Sequence, residues 1–169
     1  MRRLPVLLIA LLAVAVAATP AYASGTVIKV PRKFKKVLPD VKKNSLIAVR
    51  LPSYLDAGIK PRRVRGFVDT VDPGEYHLYL GIGKQCNGAT VCTVAWFSGK
   101  EGAKLGGGKR VTLARGIKGR FRDVRCGASC SPASIRWKQK RVRYEIEVKG
   151  GTRRKMKRLA DQAIKAGPR

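Results

Sequence analysis

The chain has 169 residues, with 37 Lys+Arg against 10 Asp+Glu, a formal net charge of +27. That length suffices for one single-core domain, and self-repulsion among the cations makes compactness costly. Beyond an amino-terminal apolar run there is no second stretch of spanning length, which excludes a further membrane helix.

The chain opens with Arg2-Arg3, an apolar run from Leu4 to Ala18, and Ala21-Tyr22-Ala23. Basic start, short apolar core and small-residue cleavage site read as a secretory signal peptide over residues 1–23. Cleavage after Ala23 leaves 146 residues with 35 Lys+Arg against 10 Asp+Glu, a net +25. The run is shorter than the ~20 residues a spanning helix needs, so no transmembrane anchor is expected after cleavage. No cysteine stands directly after the run, which gives lipid attachment no support there.

Residues 24–44 are basic (Arg32, Lys33, Lys35, Lys36, Lys42, Lys43) and broken by prolines. They read as an N-terminal arm, partly ordered at best. Residues 45–169 read as a single disulfide-bonded domain. Ser45 to Val49 is an apolar run expected to form the first strand, ended by Pro52. Residues 56–65 form a loop carrying Lys60, Arg62, Arg63 and Arg65. Val64 to Val71 reads as a strand interrupted by Gly66, and Asp72-Pro73-Gly74 as a turn. Glu75 to Ile82 is the best candidate for a central strand, with Tyr76, Leu78, Leu80 and Ile82 on one face and Glu75, His77 and Tyr79 on the other. Val91 to Phe97 reads as a strand that buries Trp96 or Phe97. Gly99 to Gly108 reads as a mobile Gly/Lys-rich loop. Arg110 to Ala114 and Gly119 to Val124 are expected to be two further strands.

The stretch from Cys126 to Gly167 organises the rest. Ile135 and Trp137 alternate with Arg136 and Lys138; after a polar turn at Gln139-Lys140-Arg141, Val142, Tyr144, Ile146 and Val148 alternate with Arg143, Glu145, Glu147 and Lys149. Pairing Trp137 with Val142 and Ile135 with Tyr144 keeps the apolar faces together and sets Arg136 opposite Arg143. Thr152 then caps a helix whose apolar face is Met156, Leu159, Ala160, Ala163 and Ile164, ended by Gly167 and Pro168. The expected fold is α+β: a mostly antiparallel sheet of about six to eight strands with one C-terminal amphipathic helix packed on it.

Cys86, Cys92, Cys126 and Cys130 are the four cysteines, and an even count in an exported chain reads as disulfides. Of the possible pairings the local ones, Cys86–Cys92 and Cys126–Cys130, are preferred; each closes a short loop worth roughly 2 kcal/mol. Zinc is the alternative, but C-x5-C and C-x3-C match the usual cluster spacings poorly. No metal or cofactor is expected.

Several motifs recur together: Leu51-Pro52-Ser53-Tyr54-Leu55, Tyr76-x-Leu78-x-Leu80, Cys86-Asn87-Gly88-Ala89-x-x-Cys92, Leu113-x-x-Gly116-Ile117-x-Gly119, Cys126-Gly127-Ala128-Ser129-Cys130-Ser131-Pro132 and Ile135-x-Trp137. The set resembles a family of uncharacterised exported bacterial proteins that carry these two Cys motifs. The resemblance spans Leu51 to Gly167 and implies no activity or site. The Trp strand, Tyr strand and closing helix are more loosely similar to lipoprotein-carrier-like sensor and carrier domains of cell envelopes, a likeness of fold that leaves function open.

The charge carries the functional expectation. Lys138, Lys140, Arg141 and Arg143 cluster at the hairpin tip. Arg153, Arg154 and Lys157 stand in the first turns of the helix, against its dipole, where free N–H groups and cations together suit an anion. These are the candidate anion-binding residues, with an anionic envelope polymer or lipid headgroups as partner. Extracellular nucleic-acid binding, or carriage of an apolar ligand between sheet and helix, are the alternatives. Trp96, Phe97, Trp137 and Tyr144 could stack bases, but Trp137 and Tyr144 fall on the core face, leaving only one of Trp96 and Phe97 outward.

No catalytic constellation is legible. His77 is the sole histidine and no G-x-S-x-G motif accompanies it. Glu145 and Glu147 share a face and read as ion-pair partners rather than a catalytic pair. Gly106-Gly107-Gly108-Lys109-Arg110 fails as a phosphate loop, because Ala103 and Arg110 occupy positions that need Gly and Ser or Thr.

Overall fold

A computed structural model describes residues 26–169, so the expected signal peptide lies outside the described residues. In chain order the elements are β1 (Val27–Lys29), α1 (Val30–Phe34), α2 (Leu38–Asn44), β2 (Tyr54–Asp56), β3 (Val64–Asp72), β4 (Glu75–Ile82), β5 (Thr93–Glu101), β6 (Lys109–Thr112), β7 (Lys118–Arg122), β8 (Arg125–Cys126), β9 (Cys130–Ser131), β10 (Ala133–Gln139), β11 (Val142–Val148) and α3 (Arg153–Ala166). The architecture is α+β. Seven strands form one antiparallel sheet in the order β3-β4-β5-β11-β10-β7-β6, and α3 packs on one face of it.

The β10–β11 hairpin keeps the expected faces in a different register. Gln139 lies opposite Val142, so only Lys140 and Arg141 turn the chain, with Lys140 at φ 55. Relative to the expected pairing the strands slide by two residues, which preserves every side chain's face because the pleat repeats every two. Trp137 therefore meets Tyr144, their rings stacked 5.5 Å apart. Arg136 meets Glu145 instead of Arg143, so the like-charge clash in the expected register becomes an ion pair. β11 is the central strand. Glu75–Ile82, expected there, is one in from the edge, because the strands that surround β11 come from distant parts of the chain.

The segment expected as an arm is part of the core. β1 pairs antiparallel with β2, and Ile28, Val30, Phe34 and Val41 are fully buried. Val30, Phe34, Val37, Leu38 and Val41 follow helical spacing; Pro31 and Pro39, which suggested breaks, sit in the first turns of α1 and α2, where no N–H is needed. Phe34 meets Phe97 edge-on at 5.9 Å. Gly66 accommodates this docking rather than interrupting β3: a Cβ there would lie 2.6 Å from the Lys33 carbonyl oxygen and 2.7 Å from the Phe34 ring.

Residues 45–49, expected as a strand, are not in a ladder. They keep the alternation, burying Ile47 and Val49 while Leu46 is exposed, but their donors go elsewhere. Ser45 Oγ accepts from the Ile47 N–H, and the Pro73 carbonyl from that of Leu46. β5 starts at Thr93 rather than Val91 and runs on to Glu101, taking Gly99 out of the expected loop. Gly99 is in the sheet because the Tyr76 ring lies where a Cβ would be. Phe97 is buried and Trp96 turns to the other face. α3 matches its expected bounds closely: Thr152 Oγ accepts from the Lys155 N–H, and Met156, Leu159, Ala160, Ala163 and Ile164 are buried. Both local disulfides, Cys86–Cys92 and Cys126–Cys130, are formed. No helix among the described residues is long and apolar enough to cross a membrane.

Phe34→Ala should destabilise the domain by about 3 kcal/mol or more, the usual cost of emptying a buried aromatic site. Urea unfolding checks it, since a residue in a disordered arm would change nothing.

Candidate anion-binding face

One face of the seven-stranded sheet is covered by α3, α1, α2 and residues 45–51. The other is open. Cross-strand partners share a face, so the register writes out the open face in rows. One row reads Arg110, Arg120, Arg136, Glu145, Ser98, His77, Thr70 from β6 to β3. A second reads Arg122, Ser134, Glu147, Trp96, Tyr79, Phe67. A third reads Lys138, Arg143, Lys100, Glu75, Asp72. The face thus divides by chemistry. In the first two rows arginines occupy β6, β7 and β10, Glu145 and Glu147 lie on β11, and Trp96, Tyr79 and Phe67 lie on β5, β4 and β3. The third row instead sets Arg143 and Lys100 beside Glu75 and Asp72.

The arginine side is arranged against its own repulsion. Arg110 lies opposite Arg120, and Arg120 opposite Arg136, with no carboxylate between them. Like charges directly opposed are destabilising by roughly 0.2–1 kcal/mol each. Glu145 holds Arg136 by an ion pair to Nε and lies 3.9 Å from Arg143 Nη2. Three further guanidinium groups donate to backbone carbonyls. Arg120 Nη1 donates to the Gly108 carbonyl and Arg122 Nε to that of Gly107, each at 3.2 Å, and Arg143 Nη1 donates to the Lys104 carbonyl at 3.3 Å. The loop between β5 and β6 therefore lies along the arginines. Gly108 makes this possible: its φ is +129, and a Cβ would stand 2.6 Å from the Phe121 carbonyl oxygen. The glycines that failed as a phosphate loop let this backbone approach the sheet.

At the β6 edge the arginines open into a pocket of about 580 Å³. Arg110, Lys118, Arg120 and Arg153 line it together with Leu105, Val111, Thr112 and Gly119, and no carboxylate does. Arg153 reaches it from the start of α3, donating from Nη2 to the Arg110 carbonyl at 3.1 Å.

The expected site residues are dispersed. Lys138 and Arg143 belong to the open face, whereas Lys140 and Arg141 form the hairpin turn, Arg141 lying 3.9 Å from Glu101. The turn and the start of α3 stand at opposite ends of β11, on the order of 20 Å apart for a strand of this length. They do not make one site. Of the helix-start cations only Arg153 joins the arginine row; Arg154 is exposed, and Lys157 pairs with Asp161 at 2.6 Å. Arg110, Lys118, Arg120, Arg122 and Arg136 were not singled out from sequence. The alternation Lys118, Arg120, Arg122 about Gly119 and Phe121 was the available signal, but it does not reveal which strands lie beside it.

Beside the arginines, Glu145 and Glu147 do come together. Burial, then the neighbouring Glu145 charge, raise the Glu147 carboxyl above its ordinary value, partly offset by Arg136 and His77. At the β3 edge a bulge between Val68 and Thr70 places Asp69 Oδ2 2.8 Å from His77 Nδ1, with both side chains partly exposed. The Tyr79 hydroxyl donates to the Cys86 carbonyl at 2.9 Å, tying the Cys86–Cys92 loop over the Tyr79–Phe67 stack. Trp96, next in that row, is only half-buried. Among the described residues no group of three or more His, Cys, Asp or Glu could hold a metal ion. No family model, curated protein or solved structure matches the chain.

The Glu147 shift has a defined sign. Its folded-state value is raised, so ionised Glu147 opposes folding above that value, and the effect vanishes below the ordinary carboxylate range, where both states are protonated. Glu147→Gln should therefore raise the thermal midpoint near pH 7 and give no gain at about pH 3. Thermal unfolding followed by circular dichroism at both pH values checks this.

Proposed function

We propose that the protein is an exported binding domain that attaches, through the arginine-lined edge of its sheet, to an anionic component of the cell envelope. The observation that carries the reading is the edge pocket where Arg110, Lys118, Arg120 and Arg153 converge without a carboxylate. Cations brought this close are relieved when an anion neutralises them, and backbone carbonyls already orient Arg120 and Arg122, which lowers the ordering cost of binding. Export is supported by the signal-like sequence of residues 1–23 and by the disulfides, which persist in oxidising compartments. The net charge adds long-range attraction, which salt screens over about 10 Å at 0.1 M.

The alternatives draw less support. Trp137, Tyr144, Ile135, Ile146, Met156 and Leu159 fill the space between sheet and α3, where a carrier would hold its apolar ligand. A nucleic acid would suit the arginines, but Glu145 and Glu147 repel a phosphate backbone laid across the face.

Cosedimentation with isolated envelope, and titration with polyglutamate as a simple polyanion, test the reading. Binding should be present at low salt and fall linearly in log K against log salt. Arg110→Ala and Arg120→Ala should each reduce the slope by about one and weaken binding roughly tenfold, while Arg154→Ala leaves affinity much closer to that of the parent. Absence of binding at low salt, or equal loss in all three variants, would overturn it.

A further inference from the structure

The arginine edge does not account for the middle of the open face. There a second, smaller pocket of about 190 Å³ includes Trp96, Ser98, His77, Arg143, Glu145 and Glu147 in its lining. We propose that this pocket takes one sugar ring of an acidic polysaccharide whose acid groups lie on the arginine row. The inference rests on the anion-binding reading and names the class of polymer.

Three features carry it. Glu147 is a carboxylate on a strongly basic protein, yet it has no cation within ion-pairing distance among the described residues. Glu145, by contrast, is matched by Arg136 and Arg143. An acceptor that the protein itself does not use suits a neutral hydroxyl donor and repels a phosphate or carboxylate. Next, Trp96 is the cross-strand partner of Glu147, on the face open to solvent. An indole beside a carboxylate offers an apolar surface for the C–H face of a sugar and an acceptor for its hydroxyl rim. Third, the order along the face matches such a polymer. The row through Ser98 and Glu145 continues directly into Arg136, Arg120 and Arg110, so a ring seated on Trp96 has its acidic neighbours toward the cations. The pocket is below the ~300 Å³ floor of drug-sized ligand sites, which fits a single ring rather than a larger headgroup.

Calorimetric titration of the folded, oxidised protein with oligogalacturonate half methyl-esterified, so that neutral rings stand beside acidic ones, with polyglutamate of equal charge, and with a thymidine oligonucleotide tests it. Oligogalacturonate should bind roughly tenfold tighter than polyglutamate, the worth of one well-made stacking contact. Trp96→Ala should erase that advantage while leaving polyglutamate affinity unchanged. Glu147→Gln should erase it with polyglutamate binding retained and modestly tightened by the loss of a repelling charge. Retained polyglutamate binding also shows that the variants are folded. Trp96→Phe should keep most of the advantage. Equal affinity for the two polyanions, or an advantage that survives Trp96→Ala, would overturn the sugar site and leave the anion site standing. Oligonucleotide binding that depends on Trp96, with no oligogalacturonate preference, would also overturn it by placing a base on the indole. Failure of every polyanion to bind at low salt would remove the anion site as well.

Discussion

The pairing of Arg136 with Glu145 and of Trp137 with Tyr144 across the β10–β11 hairpin decides both faces of the sheet at once. The aromatic pair fills the covered face beneath α3. The ion pair anchors the open face at the boundary between arginines and carboxylates. Both follow from a two-residue turn at Lys140-Arg141. A one-residue slip would carry Ile135 and Trp137 into solvent and Arg136 into the core, so burial forbids it. A two-residue slide costs no burial, and there the difference lies in cross-strand charge: it would set Arg136 against Arg143 instead of Glu145.

From that hairpin outward the fold disposes of an unusual charge. Cations are kept to the open face, the loops and the outer side of α3, and the sheet carboxylates nearest the arginines, Glu145 and Glu147, stand on the central strand. The β5–β6 loop completes the arrangement by turning its carbonyl oxygens onto Arg120, Arg122 and Arg143. The arginines are thereby partly satisfied without being neutralised. A surface of this kind is ordered in the free protein and keeps much of its charge.

The same accounting explains why the amino-terminal residues fold against the sheet rather than trailing from it. β3 and β4 present Val64, Tyr76, Leu78 and Leu80 on the covered face, a surface that α3 does not cover by itself. Ile28, Val30, Phe34 and Val41 complete that core. The lysines between them point outward and disguise an apolar stripe as a basic arm.

The sequence by itself determined the local chemistry. Period-two alternation marked β4, β10 and β11 and their faces, the capping Thr152 and the spacing from Met156 to Ile164 marked α3, and the short cysteine separations favoured the disulfides that form. These signals are local because the pleat and the helical turn are local. What lies beside what was decided only by the tertiary structure. Arg110, Arg120 and Arg136 come from three separate strands, and Arg153 from a helix; nothing in their sequence neighbourhood says they converge. The hairpin cations and the helix-start cations look like one basic cluster in sequence and stand at opposite ends of β11. Non-local pairing is set by the joint burial of every strand and helix, and that constraint exists only in the folded chain.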